Sequence, residues 1–363
     1  MNETKPSINV ENSVDIVNKN SKKFKKVIKL ILLTLLILFD LFIIIINFWP
    51  AKKDITTPGG LNEVKDMIEI EDSNEIKGSF NTLYVYSYDK ASILKTFLAS
   101  KSPYNDISDS STTSNLSYQE RVLAGKIQKN QSIECSLIAA YNYAKVTNPD
   151  INLNYHLEGF YISYRQINQK DLEIGDLIYG VIRDDVTYDN TNPIEFVSAL
   201  NSLKIGDIIL YIRNDKKCSY NIEVEFSRKN LNRISMYSKY FIDEENAYPK
   251  YKLHKSNTLG PSGGLLQTLS VYCQITGIDL TKGKKICGTG TISASGYVGE
   301  IGGISQKVVT ALRADADVFL CPKENAEEGY ATYLKEKGNS KMEFIVVSTF
   351  EEAVIKLGEL EWN

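Results

Sequence analysis

The sequence predicts an α+β fold class with one N-terminal membrane helix, a small β-rich module and a C-terminal α/β domain. Three observations support this prediction. An apolar run of nineteen residues lies near the N-terminus, two similar Gly-Asp turns precede apolar strands in the middle, and helix and strand patterns separated by glycines alternate near the C-terminus. With 363 residues, of which 43% are hydrophobic, the chain is long enough for two or three domains with ordinary cores.

The apolar run, LILLTLLILFDLFIIIINF at residues 30–48, is long enough to cross a bilayer as a helix. Its one charged residue, Asp40, is either a tolerated acid or a contact for a partner helix. A cleaved signal peptide is the alternative. The apolar region of such a peptide is usually shorter and is followed by small residues, whereas this run ends in Trp49 and Pro50. We therefore predict a membrane helix over residues 27–49.

The lysines around this helix predict its orientation. Those before it are Lys19, Lys22, Lys23, Lys25 and Lys26, and those just after it are Lys52 and Lys53. Cytoplasmic flanks carry the excess of lysine and arginine. The bias predicts a single-pass protein of the cell membrane, with residues 1–26 as a cytoplasmic tail and the later residues on the extracytoplasmic side.

The composition excludes several classes of function. A net charge of −3 leaves no basic stripe for phosphate contacts, so we predict no nucleic-acid partner. Two histidines, His156 and His254, are too few for a multi-histidine metal site, and the chain has no Cys-x-x-Cys pair. We predict neither a metal nor a cofactor. Four of the five cysteines lie in apolar contexts, which is typical of core residues rather than of disulfides.

Residues 50–156 indicate structure without indicating chemistry. They begin with a Pro-Gly-Gly linker at residues 58–60, and the alternating segment FNTLYVYSYD at residues 80–89 predicts a strand. A stretch rich in serine and threonine then leads to a long helical pattern from Tyr118 to Val146.

Residues 157–229 contain an internal echo, LEIGDLI at 172–178 and LKIGDII at 203–209. A short helical pattern lies between the two, and NIEVEFSRK at 221–229 alternates as a closing strand should. This order of elements resembles a PDZ domain. PDZ domains hold the C-terminal carboxylate of a peptide on a Φ-Gly-Φ loop and add the peptide to a sheet edge. The nearest match to that loop is LEGFYI at 157–162, and the alternative is a β-rich spacer that binds nothing.

The stretch NTLGPSGG places Ser262 at the start of an apolar helical run. A serine hydroxyl becomes a nucleophile when a base takes its proton. One candidate base is His254, eight residues upstream, although a surface histidine is the ordinary interpretation. The other is Lys307, which follows Gly302 and Gly303 at the edge of an apolar helical stripe. Desolvation would lower the pKa of such a lysine from about 10.4 toward neutrality, whereas a snorkelling lysine would stay charged.

The segment Gly260–Glu324 favours the lysine. Its motifs run GPSGG, GTGTIS, GYVGEIGGISQK and ADADVFLCPKEN, and the last of them ends one residue beyond this segment. This order is similar to that of the proteolytic domain of Lon proteases, whose motifs run GPSAG, TGEIT, PIGGLKEK and PKEN. The resemblance implies a Ser-Lys dyad, with Ser262 as nucleophile, Lys307 as general base and Thr289 holding the amine. Gly263 leaves room for a substrate backbone, and the helix N-terminus offers N–H groups to an oxyanion. We assign residues 230–363 to this domain.

The sequence departs from the Lon pattern at four points. Leu259 stands where many members have aspartate, Gly263 replaces the usual alanine, and Thr291 replaces a glutamate. The fourth departure is the missing ATPase. The segment GIDLTKGKK is not a P-loop, because it has five residues between its glycines and Lys285 stands where serine or threonine is needed.

The whole arrangement resembles bacterial membrane-anchored proteins that combine a PDZ module with a Lon-type proteolytic domain. We expect an ATP-independent serine endopeptidase that cuts flexible or unfolded protein and peptide substrates near the membrane, and a homo-oligomer is compatible with this function. Two alternatives are a catalytically degenerate scaffold that binds peptides through the PDZ-like module, and a structural anchor that acts through the long helix.

Overall fold

The computed structural model describes residues 10–112 and 115–361. They form two compact units: residues 10–55, 88–103 and 107–110 belong to the first, and residues 56–87, 104–106 and the described residues from 111 onward belong to the second. In this part of the chain the helices are α1 (Val10–Phe48), α2 (Ile93–Ala99), α3 (Tyr118–Thr147), α4 (Pro193–Asn201), α5 (Gly264–Thr276), α6 (Ile304–Arg313), α7 (Ala326–Glu336) and α8 (Phe350–Glu359). The strands are β1 (Pro50–Glu63), β2 (Ile68–Ile70), β3 (Ser79–Ser92), β4 (Asp106–Asp109), β5 (Tyr155–Arg165), β6 (Leu177–Arg183), β7 (Val186–Asp189), β8 (Ile208–Arg213), β9 (Lys216–Asn221), β10 (Ile234–Ile242), β11 (Tyr251–Leu253), β12 (Lys285–Gly288), β13 (Thr291–Ile292), β14 (Val298–Gly299), β15 (Val318–Pro322) and β16 (Glu343–Val347).

The first unit is dominated by α1. Its segment Ser21–Phe48 is long and apolar enough to cross a membrane, and none of its most apolar stretch is buried inside the protein. A helix that is apolar on all sides needs an apolar environment around it, so this segment is suited to a bilayer, and a signal sequence has the same character. The helix begins at Val10, before the predicted start at residue 27, and residues 1–9 of the predicted tail lie outside the described residues.

The second unit contains a sheet with the strand order β16-β15-β12-β3-β1. Strands β16, β15, β12 and β3 run parallel to one another. Alternate residues of these strands face opposite sides: Ile286 joins a core with α5 and α8, whereas Cys287 joins a core with α6 and α7. This double coverage is typical of α/β domains, and it agrees with the α/β domain predicted from the sequence.

The Pro-Gly-Gly segment at residues 58–60 is not a linker. It lies inside β1, which runs beside β3. A Cβ atom on Gly59 would collide with the carbonyl oxygen of Tyr84, and one on Gly60 would lie 2.6 Å from the Tyr84 hydroxyl. The two glycines therefore serve close packing of β1 on β3, and the predicted linker was wrong here.

The middle of the chain forms a second sheet, with the order β10-β5-β6-β8-β9 and with β7 paired to β6. The expected helix is present as α4. The predicted closing strand at residues 221–229 is wrong, because β9 ends at Asn221. The side-chain amide of Asn232 donates to the carbonyl oxygens of Val224 and Glu225, which removes them from any strand ladder. Each sheet combines residues from both sides of a predicted domain boundary, at residue 156 and at residues 229 and 230. The domain boundaries at these residues stay predictions.

Both edges of β5 are paired. β6 lies on one side, and β10 pairs along the other from Ile234 opposite Arg165 to Ile242 opposite Tyr155. The Φ-Gly-Φ segment at residues 157–162 belongs to this strand, and Gly159 faces Lys239 of β10. A peptide could add to this edge only if β10 left it.

The repeated Gly-Asp turns exchange ion pairs. Asp176 of the first turn accepts from Arg213 at the end of β8, at 2.6 Å, and Asp207 of the second accepts from Arg183 at the end of β6, also at 2.6 Å. Each carboxylate also caps its own turn, by accepting from the N–H of Glu173 and of Lys204 respectively. The repeated sequence therefore forms two reciprocal ion pairs. Each pair joins one Gly-Asp turn to the strand that follows the other turn.

Helix α3 contributes to two cores of this unit. Ala124 and Ile127, in its first half, pack into the core of the module, whereas Leu137, Ile138 and Tyr141, in its second half, pack beside α5. All five cysteines are free, as the sequence predicts, and four of them are buried.

Candidate active site

Ser262 lies in a tight turn that leads into α5. Gly260, at φ +87°, turns the chain, and its N–H donates to the carbonyl oxygen of Gly125 in α3 at 2.9 Å. The Ser262 carbonyl oxygen accepts from the N–H of Gly290 at 3.0 Å, and the N–H of Leu265 donates to the Gly290 carbonyl at 3.2 Å. The serine is thus fixed by its backbone on both sides while its side chain stays partly exposed.

The two glycines after the serine lie close to different neighbours. A Cβ atom on Gly264 would lie 2.6 Å from Ile292 Cγ2, which no ordinary contact permits. A Cβ atom on Gly263 would lie 3.0 Å from Thr82 Cγ2 and 3.2 Å from Gln267 Nε2. The replacement of the usual alanine by Gly263 is therefore matched by Thr82 on β3.

Lys307 lies in the first turn of α6, and its N–H donates to the carbonyl of Gly303 at 3.1 Å. Gly303 begins the helix in the left-handed region, at φ +68°, a conformation that glycine adopts at no steric cost. The side chain is only 2% exposed. Burial lowers the pKa of Lys307 to about 7, because the charged ammonium loses its water. Within residues 10–112 and 115–361, no carboxylate pairs with this amine.

Thr289 connects the lysine to the serine turn. Lys307 Nζ donates to Thr289 Oγ1 at 3.0 Å, and Thr289 Oγ1 donates to the Ser262 carbonyl oxygen at 3.0 Å. In the described part of the chain, the Ser262 hydroxyl and the Lys307 amine are not hydrogen-bonded to each other. The structure therefore connects the side chains of Lys307 and Thr289 to the backbone carbonyl of Ser262.

The turn also leaves backbone donors available. Among the described residues, the N–H groups of Ser262 and Gly263 donate to no backbone carbonyl. Both precede α5, where the helix dipole favours negative charge. This arrangement is suited to holding the oxyanion that forms when a serine attacks a carbonyl.

His254 is held away from a catalytic role. Its Nε2 lies 3.0 Å from Glu69 Oε2 at an exposed pair, and its N–H donates to the carbonyl of Met67. No hydrogen bond joins it to Ser262 in the described residues. The ordinary interpretation of this histidine, as a surface residue, fits the structure.

The sequence analysis did not identify the residues that hold the Ser262 turn and the loop before α6. The Ser132 hydroxyl of α3 donates to the Pro261 carbonyl at 3.0 Å. Gln267 Oε1 also lies within hydrogen-bond distance of the Ser132 hydroxyl. Asn325 binds both backbone groups of Ile301, which steadies the loop before α6. Asn325 is the last residue of PKEN, so the motif signalled it, whereas a serine in mid-helix carries no such signal.

Comparison with known proteins agrees with this geometry. Residues 235–358 match the family profile of the Lon protease (S16) C-terminal proteolytic domain. The chain is similar to Lon protease of Rhizobium meliloti (strain 1021), with 32% identity over 109 residues that cover 29% of this chain and 13% of that protein. It is also similar to Lon protease of Malacoplasma penetrans (strain HF-2), with 27% identity over 167 residues, 46% of this chain and 20% of that protein. Lon protease of Clostridioides difficile (strain 630) is 31% identical over 174 residues, 44% of this chain and 19% of that protein.

The fold and these matches make the C-terminal part of the chain a serine peptidase domain. Within that class it is a Lon-type (S16) proteolytic domain. The chain spans a fifth or less of the length of these curated relatives. The family profile begins at residue 235, so β1, β3 and α3 lie outside it.

Proposed function

We propose that the chain is a serine endopeptidase in which Ser262 is the nucleophile and Lys307 is the general base. The observation that carries the proposal is the buried amine of Lys307, which has a pKa of about 7 and is held by Thr289 beside the serine turn. A base with a pKa near the working pH takes and returns a proton most effectively.

In the proposed reaction, the neutral Lys307 amine takes the proton of Ser262 Oγ as the oxygen attacks the peptide carbonyl. The N–H groups of Ser262 and Gly263 hold the oxyanion, and the lysine then gives its proton to the leaving amine. Water attacks the acyl-enzyme by the reverse route. The missing direct hydrogen bond between Ser262 and Lys307 is compatible with this, because catalytic hydrogen bonds often tighten only when the substrate is bound.

We also propose that the activity needs no nucleotide and that its substrates are protein or peptide segments that are flexible or already unfolded. The support is the segment Gly277–Lys285, which does not make a P-loop. We further propose that α1 anchors the chain in a lipid bilayer, with the N-terminus in the cytoplasm and the proteolytic domain on the extracytoplasmic side. The lysine bias around the apolar segment and its exposure on all sides support this, and a cleaved signal sequence is the competing interpretation.

Peptide binding by the PDZ-like module is part of the proposal, but not by addition to the edge of β5, which β10 occupies. The absence of a nucleic-acid partner and the formation of a homo-oligomer stay predictions.

The test is hydrolysis of an unstructured fluorogenic peptide by the full-length chain in detergent micelles. We expect the rate to rise with pH through an apparent pKa near 7, because the base must be neutral, and to be unaffected by ATP. A fluorophosphonate probe should label the wild-type chain and not Ser262→Ala. A chain that binds peptides but is neither labelled nor active would be the catalytically degenerate scaffold instead.

A further inference from the structure

Helix α2 of the first unit has one apolar side. Four of its residues have large apolar side chains: Ile93, Leu94, Phe97 and Leu98. With about 3.6 residues per turn, these four side chains lie within an arc of about 140° around the helix axis. Lys95 and Thr96 lie outside that arc. The pattern of α2 is therefore that of a short amphipathic helix.

The described part of the chain does not cover this apolar side. Helix α2 contains no buried residue, whereas α4, which is of similar length, buries three. Ile93, Phe97 and Leu98 are 43%, 56% and 58% exposed. A helix this short is marginal in water by itself, and helices in proteins are stabilised mainly by burial of an apolar face. The apolar side of α2 therefore needs an apolar environment from outside the described residues.

The position of α2 indicates which environment this is. The Ile93 N–H donates to the Trp49 carbonyl at 3.0 Å, and α2 packs beside α1. Trp49 directly follows the apolar segment Ser21–Phe48, and tryptophan is enriched at membrane–water interfaces. If α1 crosses a bilayer, its apolar segment ends at the membrane surface, and the hydrogen bond to Trp49 places the start of α2 at that surface.

The charges around α2 suit lipid headgroups. Residues 88–103 contain three lysines, Lys90, Lys95 and Lys101, and one acid, Asp89. Residues 49–55 and 107–110 of the same unit add two lysines and two acids, so they do not offset this positive excess. Lys101 Nζ lies 4.5 Å from the centre of the Phe97 ring, at the edge of the apolar side. Basic residues beside an exposed apolar side are typical of helices that lie in the membrane interface.

We propose that α2 is an interfacial helix, with Ile93, Phe97 and Leu98 against the acyl chains of the bilayer and Lys95 and Lys101 at the lipid phosphates. The inference rests on the proposed membrane anchor α1. A bilayer is favoured over a protein partner because the apolar side of α2 continues from the end of the apolar segment of α1. Strands β1 and β3 then meet the membrane twice, since β1 directly follows α1 and β3 directly precedes α2. Two attachments restrict rotation of this unit about the axis of α1, which a single helix would allow.

The test places a tryptophan on each side of α2 in the full-length chain. Trp49→Phe and Trp362→Phe first remove the two natural tryptophans. Leu98→Trp then reports on the apolar side, and Lys95→Trp, also at an exposed position, reports on the polar side. Each variant is reconstituted into vesicles of phosphatidylcholine and phosphatidylglycerol whose acyl chains are either unmodified or brominated close to the headgroup. Circular dichroism confirms folding.

We expect the brominated lipids to quench at least about half of the Leu98→Trp emission, because the apolar side of an interfacial helix enters the acyl boundary by about 5–10 Å. Quenching of Lys95→Trp should be at most about a third as strong, because this side faces water. Phe97→Trp, a second reporter on the apolar side, should behave as Leu98→Trp does, so a folding defect in one variant leaves the other to decide.

Vesicle flotation separates this inference from the proposed anchor. A chain that floats with the vesicles while Leu98→Trp and Phe97→Trp stay unquenched contradicts the interfacial helix alone, and α2 would then be a surface for a protein partner. Equal quenching of the reporters on both sides would also overturn it, because α2 would have no defined lipid-facing side. A chain that does not float contradicts the anchor and the interfacial helix together. Peptide hydrolysis, measured separately, decides the peptidase assignment in each case.

Discussion

The two halves of the second unit bury charge in opposite ways. In the module, Asp176 and Asp207 are almost fully buried, and each is paired with an arginine and with a backbone N–H of its own turn. In the proteolytic domain, Lys307 is equally buried, but its described partner is the neutral hydroxyl of Thr289.

The consequence for protonation differs accordingly. Burial raises the pKa of Asp207, but the hydrogen bonds from Arg183 and from the Lys204 N–H outweigh it, so the pKa lies below its ordinary value and the group stays charged. Burial alone acts on Lys307, so its pKa falls to about 7. A buried charge with a partner joins elements together, whereas a buried amine without one has a shifted pKa, which is common at functional sites.

The largest expected effect is loss of activity at the uncompensated site. Ser262→Ala, Lys307→Ala and Lys307→Arg should each lower kcat/KM by at least about 1,000-fold, because nucleophile and base act as a unit and a guanidinium cannot accept the proton. The double variant Ser262→Ala, Lys307→Ala should be no worse than either single one. The measurement is peptide hydrolysis by the full-length chain, with circular dichroism to confirm folding.

His254→Ala is the matched control for this prediction. Its ring pairs with Glu69 at an exposed site, so most activity should remain. Substantial turnover by Lys307→Ala, or its loss in His254→Ala, would remove the Ser-Lys assignment.

The second effect concerns stability. The folded-state pKa of Lys307, about 7, lies below its unfolded value of 10.5. The unfolded chain therefore binds more protons between these values, and stability rises with pH from about 7 to 10.5. Lys307→Met removes the cost of burying the charge, so it should stabilise the protein at pH 6 by several kcal/mol, on the order of 3, and the gain should shrink toward pH 10.

Thermal unfolding of Lys307→Met, followed by tyrosine and tryptophan fluorescence across this pH range, measures the gain. The exposed Lys341→Met provides the comparison and should show no such pH-dependent gain. A constant difference between Lys307→Met and the parent at all pH values would mean that the lysine is not discharged by burial.

The third expected effect concerns a buried carboxylate of the module that is paired with an arginine. Asp207→Ala leaves Arg183 and the Lys204 N–H without their acceptor, and it should destabilise the module by about 2 to 3 kcal/mol. Lys204→Ala keeps the backbone N–H that donates to Asp207 and removes an amine that is 57% exposed and 3.7 Å from Asp184, and it should change stability by less than about 0.5 kcal/mol. Hydrogen exchange of β6 and β8 reports the module separately. Similar losses of stability in both variants would contradict the expectation that the buried ion pair contributes more than the exposed one.

The sequence predicted what lies close together along the chain. Ser262 and Lys307 stand in short motifs, and the order of those motifs indicated their common site before the structure brought them together through Thr289. The sequence could not predict that β3 would pair with β12, because Ser79 lies opposite Lys285 and nothing local marks so distant a partner. The closing strand failed for a similar reason, since β10 pairs with β5 across the whole module.

The smallest expected effect concerns how the nucleophile is held from outside the family-matched residues. Ser132 of α3 donates to the carbonyl of Pro261, the residue before Ser262. We expect Ser132→Ala to lower kcat by about tenfold, roughly 1.4 kcal/mol, because the turn loses one buried hydrogen bond and positions Ser262 less well. KM should change less than about twofold, since the hydroxyl is buried. Thr147→Ala is the control on the same helix, because its hydroxyl donates only to the Ala144 carbonyl one turn earlier. Both variants should be assayed well below their unfolding temperatures. If kcat falls equally in the two, α3 contributes stability alone, and the serine turn is positioned entirely by the Lon-type domain.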